Sequence, residues 1–285
     1  MRLDTEFIRL PLAVDAERLR AEVEAIPEDA WRPHPQGHPG NSALPLIARG
    51  GDPDDDGVAG TMLPTPHLGR TPYMRQVLTA LGATIGRSRL MRLDGNAEAT
   101  MHVDTNYYWA DRVRVHIPIV TDPAIEFLCA ERSLHMAPGE VWIFDAWRRH
   151  NVLNPTGERR IHLVADTVGS AAFWDLVAAG QRPFDDGAGS EGFDPRPVAW
   201  DEGDAPDPPT ERSNLPVVMS PWEQERLAGE LLAEASAGSG SEDERAALER
   251  ALTRLRRDWR DAWARHGDSS AGWPTFRGLL ERFEA

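Results

Sequence analysis

His102 and Asp104, separated by one valine, can present an imidazole nitrogen and a carboxylate oxygen to one ion if the segment is a strand, because residues two apart project to the same side. His150, beyond the aromatic-flanked Phe144-Asp145-Ala146-Trp147, offers a second imidazole. Two imidazoles and a carboxylate on one face, with the other positions open, are the donor set of non-haem iron(II) oxygenases. The competing readings are an incidental polar strand surface for His102 and Asp104, and a loop histidine near a strand end for His150, in a stretch that also holds His135 and His162. Arg160 follows on the next strand. A site that uses 2-oxoglutarate chelates iron with the keto acid end and needs a buried cation for the distal carboxylate, which the planar fork of arginine meets with two parallel hydrogen bonds. Arg159 stands beside Arg160, and surface pairing is the ordinary fate of either. Strand alternation selects Arg160 if His162 also faces inward.

These residues need strands to position them. Val113, Val115, Ile117 and Ile119 alternate with Arg112, Arg114, His116 and Pro118, which predicts a strand with one apolar and one polar face. The polar face is open to two readings, exposed or turned into a site. Val141-Trp142-Ile143-Phe144 reads as a buried strand, and 160–166 alternates again. Several antiparallel strands around a polar interior predict a mainly β, jelly-roll, cupin-like barrel over about 86–169. Ahead of it, 1–30 reads as a strand and then a helix capped by Asp15, with Leu19, Val23 and Ile26 at helical spacing. The stretch 31–72 is dense in Pro, Gly and Asp and predicts little regular structure, and a short helix follows over 72–81. The expected division is an oxygenase domain over 1–182, a Pro, Gly and Asp-rich linker over 183–216, and a helical C-terminal segment over 217–285. That segment predicts helices over 221–235 and 242–265, the second with a Ser241–Glu244 capping pattern and with Leu248, Leu252, Leu255 and Trp259 at helical spacing, and a last turn or two over 273–283. These helices serve either as cover for the barrel or as a homodimer interface.

Composition removes whole classes of function. The chain has 285 residues, 41% hydrophobic and 27% charged, and no run of about 18 apolar residues suggests a membrane span. A net charge of -15 argues against nucleic acid, since phosphate binding needs a concentrated basic surface. All 31 basic residues are arginine, which excludes phosphate-loop and Schiff-base lysines. Cys129 is the only cysteine, so no intrachain disulfide or cysteine zinc cluster is available. The charged start of the chain lacks the apolar core of a secretory signal, and a cytoplasmic location is expected. The acidic run at 52–56 lacks the ligand spacing of a calcium loop, and the scattered tryptophans read as packing residues.

Taken in order, Met101-His102-Val103-Asp104, Arg112-Val113-Arg114-Val115-His116-Ile117-Pro118, Pro138-Gly139-Glu140-Val141-Trp142-Ile143-Phe144-Asp145, and His150 followed by Arg160-Ile161-His162-Leu163-Val164 resemble the aspartyl/asparaginyl β-hydroxylase family of 2-oxoglutarate oxygenases. The resemblance is to its bacterial type, related to proline cis-4-hydroxylase, and covers about 86–169. It implies a double-stranded β-helix, iron(II) at His102, Asp104 and His150, and 2-oxoglutarate held by Arg160 at one end and by Arg114 and His116 at the other. It also implies O2 as oxidant, succinate and CO2 as coproducts, and an amino acid, free or within a peptide or on a carrier, as substrate. Where family members use a small hydroxyl residue for the distal carboxylate, this chain offers Arg89 or a neighbour. The animal members of the secretory pathway lack the carboxylate ligand, whereas Asp104 is present here; its presence also disfavours halogenation. Tyr107, Tyr108 and Trp109 are candidates for the substrate wall, with Asn106 and Asn41 as polar contacts. The rival functions are a cupin-like binding protein that does no oxidation and a zinc hydrolase or isomerase, for which Arg160 has no use.

Overall fold

The computed structural model describes all residues except 34–38, 105–106, 186–191, 204–205, 216–217, 239 and 285. The chain divides into two compact units, Met1–Ser213 and Asn214–Ala285.

The first unit begins with strand β1 (Phe7–Ala13) and helix α1 (Ala16–Glu24), whose N-cap Asp15 accepts a hydrogen bond from the Arg18 N–H and whose Leu19 and Val23 are buried. The next stretch departs from expectation. Between the short strands β2 (Arg32–Pro33) and β4 (Met62–Pro64) runs β3 (Asn41–Arg49), whose Ala43–Ala48 are all buried. A strand buried on both faces shows no alternation, and Pro45 breaks its apolar run. Pro45 has no N–H to give the ladder, and it sits where the register to the neighbouring strand shifts, a position that tolerates proline. Two helices follow, α2 (Pro66–Gly69) and α3 (Pro72–Ala80), the latter where the sequence predicts it.

The barrel strands are β5 (Thr84–Leu93), β6 (Ala97–His102), β7 (Val113–Val120), β8 (Glu126–Cys129), β9 (Arg132–Leu134), β10 (Glu140–Phe144), β11 (His150–Asn154) and β12 (Arg160–Gly169), followed by α4 (Ala171–Ala178) and β13 (Arg196–Pro197). They form two sheets. The larger has the order β13-β1-β10-β7-β12-β5-β3-β2, with β4 on β3, and the smaller the order β6-β11-β8-β9. This is the cupin-like jelly roll that the strand pattern predicts, and the double-stranded β-helix that the resemblance implies. One face of the large sheet, including Val113, Val115, Ile117 and Ile119 of β7, packs with α1, α3 and α4 in the main core. A second apolar cluster, with Phe7, Phe127, Trp142, Phe144 and Val152, joins strands of both sheets. The polar face of β7 is therefore turned inward, and Arg114 and His116 are buried with the rest of the strand.

The segment expected as a linker packs on this unit where it is described. β13 pairs in parallel with β1, the Tyr73 hydroxyl donates to the Val198 carbonyl (2.7 Å), and Glu211 bonds through its backbone to Met62 and Ile85. Its Pro-rich sequence satisfies backbone groups on its neighbours rather than in regular structure of its own.

The second unit is helical: α5 (Pro221–Ala237), α6 (Glu242–His266) and α7 (Trp273–Glu284). Capping boxes at Ser220/Glu223 and Ser241/Glu244 start the first two. Its core is Val218, Leu255, Trp259, Ala262, Phe276 and Leu279. Among the described residues no helix is long and apolar enough to cross a membrane.

Candidate active site

His102 is the last residue of β6 and lies directly opposite His150, the first residue of β11. The antiparallel pairing brings the two rings to 4.2 Å between centroids. Asp104 sits just beyond the end of β6, so strand alternation does not place it; its N–H donates to the Ala146 carbonyl at 3.0 Å, which turns the chain back toward the histidines. The loop that supplies this carbonyl is shaped by Asp145, which accepts from the Trp147 N–H (3.0 Å) and from Arg148 Nε (3.1 Å). One ligand atom from each of His102, Asp104 and His150 lies within 4.8 Å of the others.

Hydrogen bonding fixes the tautomer of both histidines. His102 Nδ1 lies 2.6 Å from the Thr100 carbonyl and His150 Nδ1 lies 2.9 Å from the Arg148 carbonyl. A carbonyl only accepts, so each Nδ1 carries the proton and each Nε2 keeps its lone pair for a metal, the usual outer support of a ligating imidazole. Burial, only partly offset by the bond to Arg148, pushes the His150 pKa down to about 4, so this ring is neutral and competent to ligate at neutral pH. Among the described residues Asp104 Oδ2 is buried without a hydrogen-bond partner, as an oxygen reserved for a cation would be. The side chain of His102 is 45% exposed and that of Asp104 17%, so the triad is open on that side and closed at His150.

Inward from the triad, β12 and β7 carry a polar pocket. Arg160 and His162 share a face of β12 and are both buried, with Arg160 Nη2 2.9 Å from His162 Nδ1. His162 thus faces inward, the condition on which the choice of Arg160 rests. Among the described residues no carboxylate pairs with Arg160, and burial alone lowers its pKa to about 9. Across β12, His116 is packed edge-on by Phe127, Phe144 and His162. Among the described residues, both ring nitrogens of His116 and Nε2 of His162 are buried without partners. Burial first, and Arg160 next, hold both imidazoles well below their ordinary pKa, so both are neutral. A small cavity lined by Thr121, Ile125, Phe127, Met136, Val152, Arg160 and His162 opens here.

A second polar cluster is built around Asp166. Arg114 Nε donates to Asp166 Oδ1 at 2.7 Å and its Nη1 lies 3.9 Å from Asp104 Oδ2, while its guanidinium stacks over Trp109 at 4.4 Å. Burial alone would raise the Asp166 pKa, but Arg114 and Arg87 outweigh it and hold the carboxylate below its usual range. Asp166 also accepts from the Tyr108 hydroxyl (3.2 Å), and Arg112 forms a two-pronged pair with Glu211 (2.9 and 3.0 Å). Arg89 belongs to the same group. It is buried, no described carboxylate pairs with it, and burial followed by the charges of Arg87 and Arg114 lowers its pKa to about 9.

The structure thus brings together His102, Asp104 and His150, sets Arg160 and His116 in one pocket, and sets Arg114 against the Asp104 carboxylate. Trp109 is buried under Arg114 in the short 3-10 helix Tyr107–Ala110. The side chain of Tyr107 and the whole of Asn106 lie outside the described residues. Asn41 spends its amide on the Pro39 and Glu98 carbonyls (3.1 and 3.2 Å), tying β3 to β6. His135 bonds the Ile125 carbonyl and takes no part in the triad. Asp166 and Glu211 were not singled out by the sequence. Alternation along β12 carries the signal for Asp166, two and four residues on from Val164 and His162, whereas nothing local points to Glu211.

Residues 15–169 match the family profile described as Aspartyl/Asparaginyl beta-hydroxylase. The chain belongs to this family. It is accordingly an oxygenase of the hydroxylase type. Among solved structures, it is similar to an oxidoreductase of the 2OG-Fe(II) oxygenase family from Burkholderia pseudomallei, at 16% identity and a TM-score of 0.38 over 54% of this chain and 77% of that one. A Pseudomonas putida prolyl-4-hydroxylase matches at 15% identity and a TM-score of 0.39, over 57% and 92% of the two chains. A cupin 2 conserved barrel domain protein from Salinispora arenicola CNS-205 matches at 14% and 0.28, over 54% and 92%. The family assignment rests on the profile and not on these distant structural likenesses.

Proposed function

We propose that the chain hydroxylates an amino acid, free, in a peptide or on a carrier, with 2-oxoglutarate and O2 as cosubstrates and succinate and CO2 as coproducts. The observation that carries this reading is the pairing of the His102–Asp104–His150 triad with a buried cation, Arg160, that no described carboxylate balances. A buried charge left unpaired costs several kcal/mol, and a protein that carries one beside unpartnered imidazoles is suited to a buried anion. The residues present fit the group: the unpartnered Asp104 Oδ2 and two Nε2 lone pairs suit iron(II), and Arg160 suits a distal carboxylate. Iron(II) and 2-oxoglutarate, when bound, supply the oxidation of a substrate C–H bond by O2.

The chain's own residues bind and orient. His102, Asp104 and His150 would hold the metal. Arg160 would take the distal carboxylate, with neutral His116 and Arg114 toward the other end. Arg89, buried near Arg114 without a carboxylate of its own, suits an anionic group on the substrate, such as the carboxylate of an amino acid. Trp109, buried under Arg114, would form part of the substrate wall. A zinc hydrolase makes no use of Arg160.

The test loads the protein anaerobically with iron(II), adds 2-oxoglutarate, admits O2 and measures succinate for wild type and His102→Ala, with amino acids and short peptides added one at a time. Succinate release that is stimulated by a substrate and lost in His102→Ala is expected. Iron binding with no succinate under any of these additions would favour the binding-protein reading.

A further inference from the structure

The carboxylate of Glu211 lies outside the matched residues 15–169 and far along the chain from the triad, yet it is 2% exposed and bonded on both oxygens to Arg112 (2.9 and 3.0 Å). Three backbone hydrogen bonds hold its segment in place: Ile85 N–H to the Pro209 carbonyl, Glu211 N–H to the Ile85 carbonyl, and Met62 N–H to the Glu211 carbonyl, at 2.8, 2.9 and 2.8 Å. The Thr61 hydroxyl adds a fourth contact, to the Arg212 carbonyl (3.1 Å). The residue is thus delivered into the barrel by a strap that is itself fixed.

What Glu211 grips is the segment that follows the metal ligand. With its Nε and Nη2 on Glu211, Arg112 turns Nη1 to the Tyr108 carbonyl (3.2 Å) and lies over the Tyr108 ring at 4.6 Å. Tyr108 then donates its hydroxyl to Asp166 (3.2 Å), Asp166 holds Arg114 (2.7 Å), and Arg114 Nη1 faces Asp104 Oδ2 (3.9 Å). A second observation shows that the meeting point is built. Gly86 lies where the Tyr108 hydroxyl, a Glu211 carboxylate oxygen and the Asp166 carbonyl converge, and a Cβ there would lie 3.0, 3.1 and 3.2 Å from them. The glycine leaves the space in which these groups come together.

We propose that Glu211 is a positioning residue for the active site: through Arg112 and Tyr108 it fixes the short helix Tyr107–Ala110, and through Asp166 and Arg114 it sets the orientation of Asp104 toward the metal. The inference rests on the triad reading above. Breaking a hydrogen-bonded partner of a metal ligand lowers metal affinity by about 10- to 100-fold, and Glu211 acts through intervening groups. The expected loss is therefore smaller, about 3- to 10-fold.

The experiment titrates the full chain with cobalt(II) alone, without cosubstrate or O2, and reads the dissociation constant and the visible d–d absorption well below the melting temperature of each variant. Glu211→Gln is compared with the double variant Arg112→Leu/Glu211→Leu, which removes the pair without stranding a buried charge. Weaker cobalt binding and an altered d–d band in both are expected. Wild-type cobalt affinity and spectrum in a folded double variant would overturn the proposal and leave the pair a purely structural one. His102→Ala separates the two readings, because cobalt binding in wild type that does not depend on His102 would sink the triad itself.

Discussion

Two buried polar regions adjoin the triad, and they differ in how their charges are met. Around Asp166, Arg87 and Arg114 share one carboxylate, Tyr108 donates to it, and Arg112 is matched by Glu211, although Arg87 Nε, 3.5 Å from Asp166 Oδ2, makes no hydrogen bond among the described residues. Around Arg160, among the described residues, a cation has only a neutral imidazole for company, and three ring nitrogens of His116 and His162 have no partner. Buried polar groups are nearly always satisfied. A satisfied network rigidifies and specifies a structure, whereas an unsatisfied one that persists in a folded protein marks a place for a ligand. The first region therefore reads as the frame that orients Asp104, and the second as the seat of an anion. Arg89, left over within the first region, marks the point where the frame also faces substrate.

The largest expected effect separates the two regions by stability. Asp166→Ala strands Arg114 and Arg87 beside each other in the interior, and breaking such a buried pair costs about 3–5 kcal/mol. Arg160→Met, in protein without cosubstrate, removes a desolvated cation and replaces it with an apolar chain that the neighbouring Phe127 and Met136 can pack against. Its stability should stay within about 1.5 kcal/mol of wild type, or rise. Urea denaturation of both variants checks this; equal losses would mean that the two regions are not different in kind. Arg160→Met should instead fail in binding. Hydrogen bonds to a charged group are worth about 1.5–3 kcal/mol, so 2-oxoglutarate affinity, measured by tryptophan fluorescence of metal-loaded protein, should fall by roughly 10- to 100-fold.

Much of this is legible in the sequence because it depends on local spacing. His102 and Asp104 stand next but one, Arg160 and His162 share a strand face, and the alternation of Val113 to Ile119 with Arg114 and His116 separates the two faces of β7. What spacing cannot supply is the choice of distant partners. The match of Arg114 to Asp166, and of Arg112 to Glu211 from a stretch that reads as a linker, depends on which strands become neighbours. β3 is hidden for a different reason. A doubly buried strand has no period of two, and Pro45 at a register shift removes the remaining cue. Asp104 is brought to the two histidines with the help of a backbone bond to Ala146 from beyond the end of its strand, not by the strand alternation that its spacing to His102 suggests.

The smallest expected effect sharpens the comparison by pH. Burial holds the Arg160 pKa at about 9 in the absence of an anion, well below its ordinary value. The unfolded chain therefore keeps this proton to higher pH than the folded one, and the burial penalty on Arg160 is present at neutral pH and relieved as pH rises through 9. Binding follows the opposite course, since a neutral guanidine offers the distal carboxylate no charge. His116 and His162 are held neutral, by burial first and Arg160 next, so the charge of the pocket is constant between about pH 6 and 8. The ratio of the affinities for 2-oxoglutarate and pyruvate, a keto acid without a distal carboxylate, cancels effects of pH on the metal. That ratio should be flat from about pH 6 to 8 and decline above about 9, gently, because a bound carboxylate raises the Arg160 pKa. A ratio that changes between pH 6 and 8 would mean that a histidine of the pocket carries the charge, and the second region would then have to be redrawn around His116 or His162. An unchanged ratio in Arg160→Met would move the distal carboxylate to another cation, with Arg89 the first to examine.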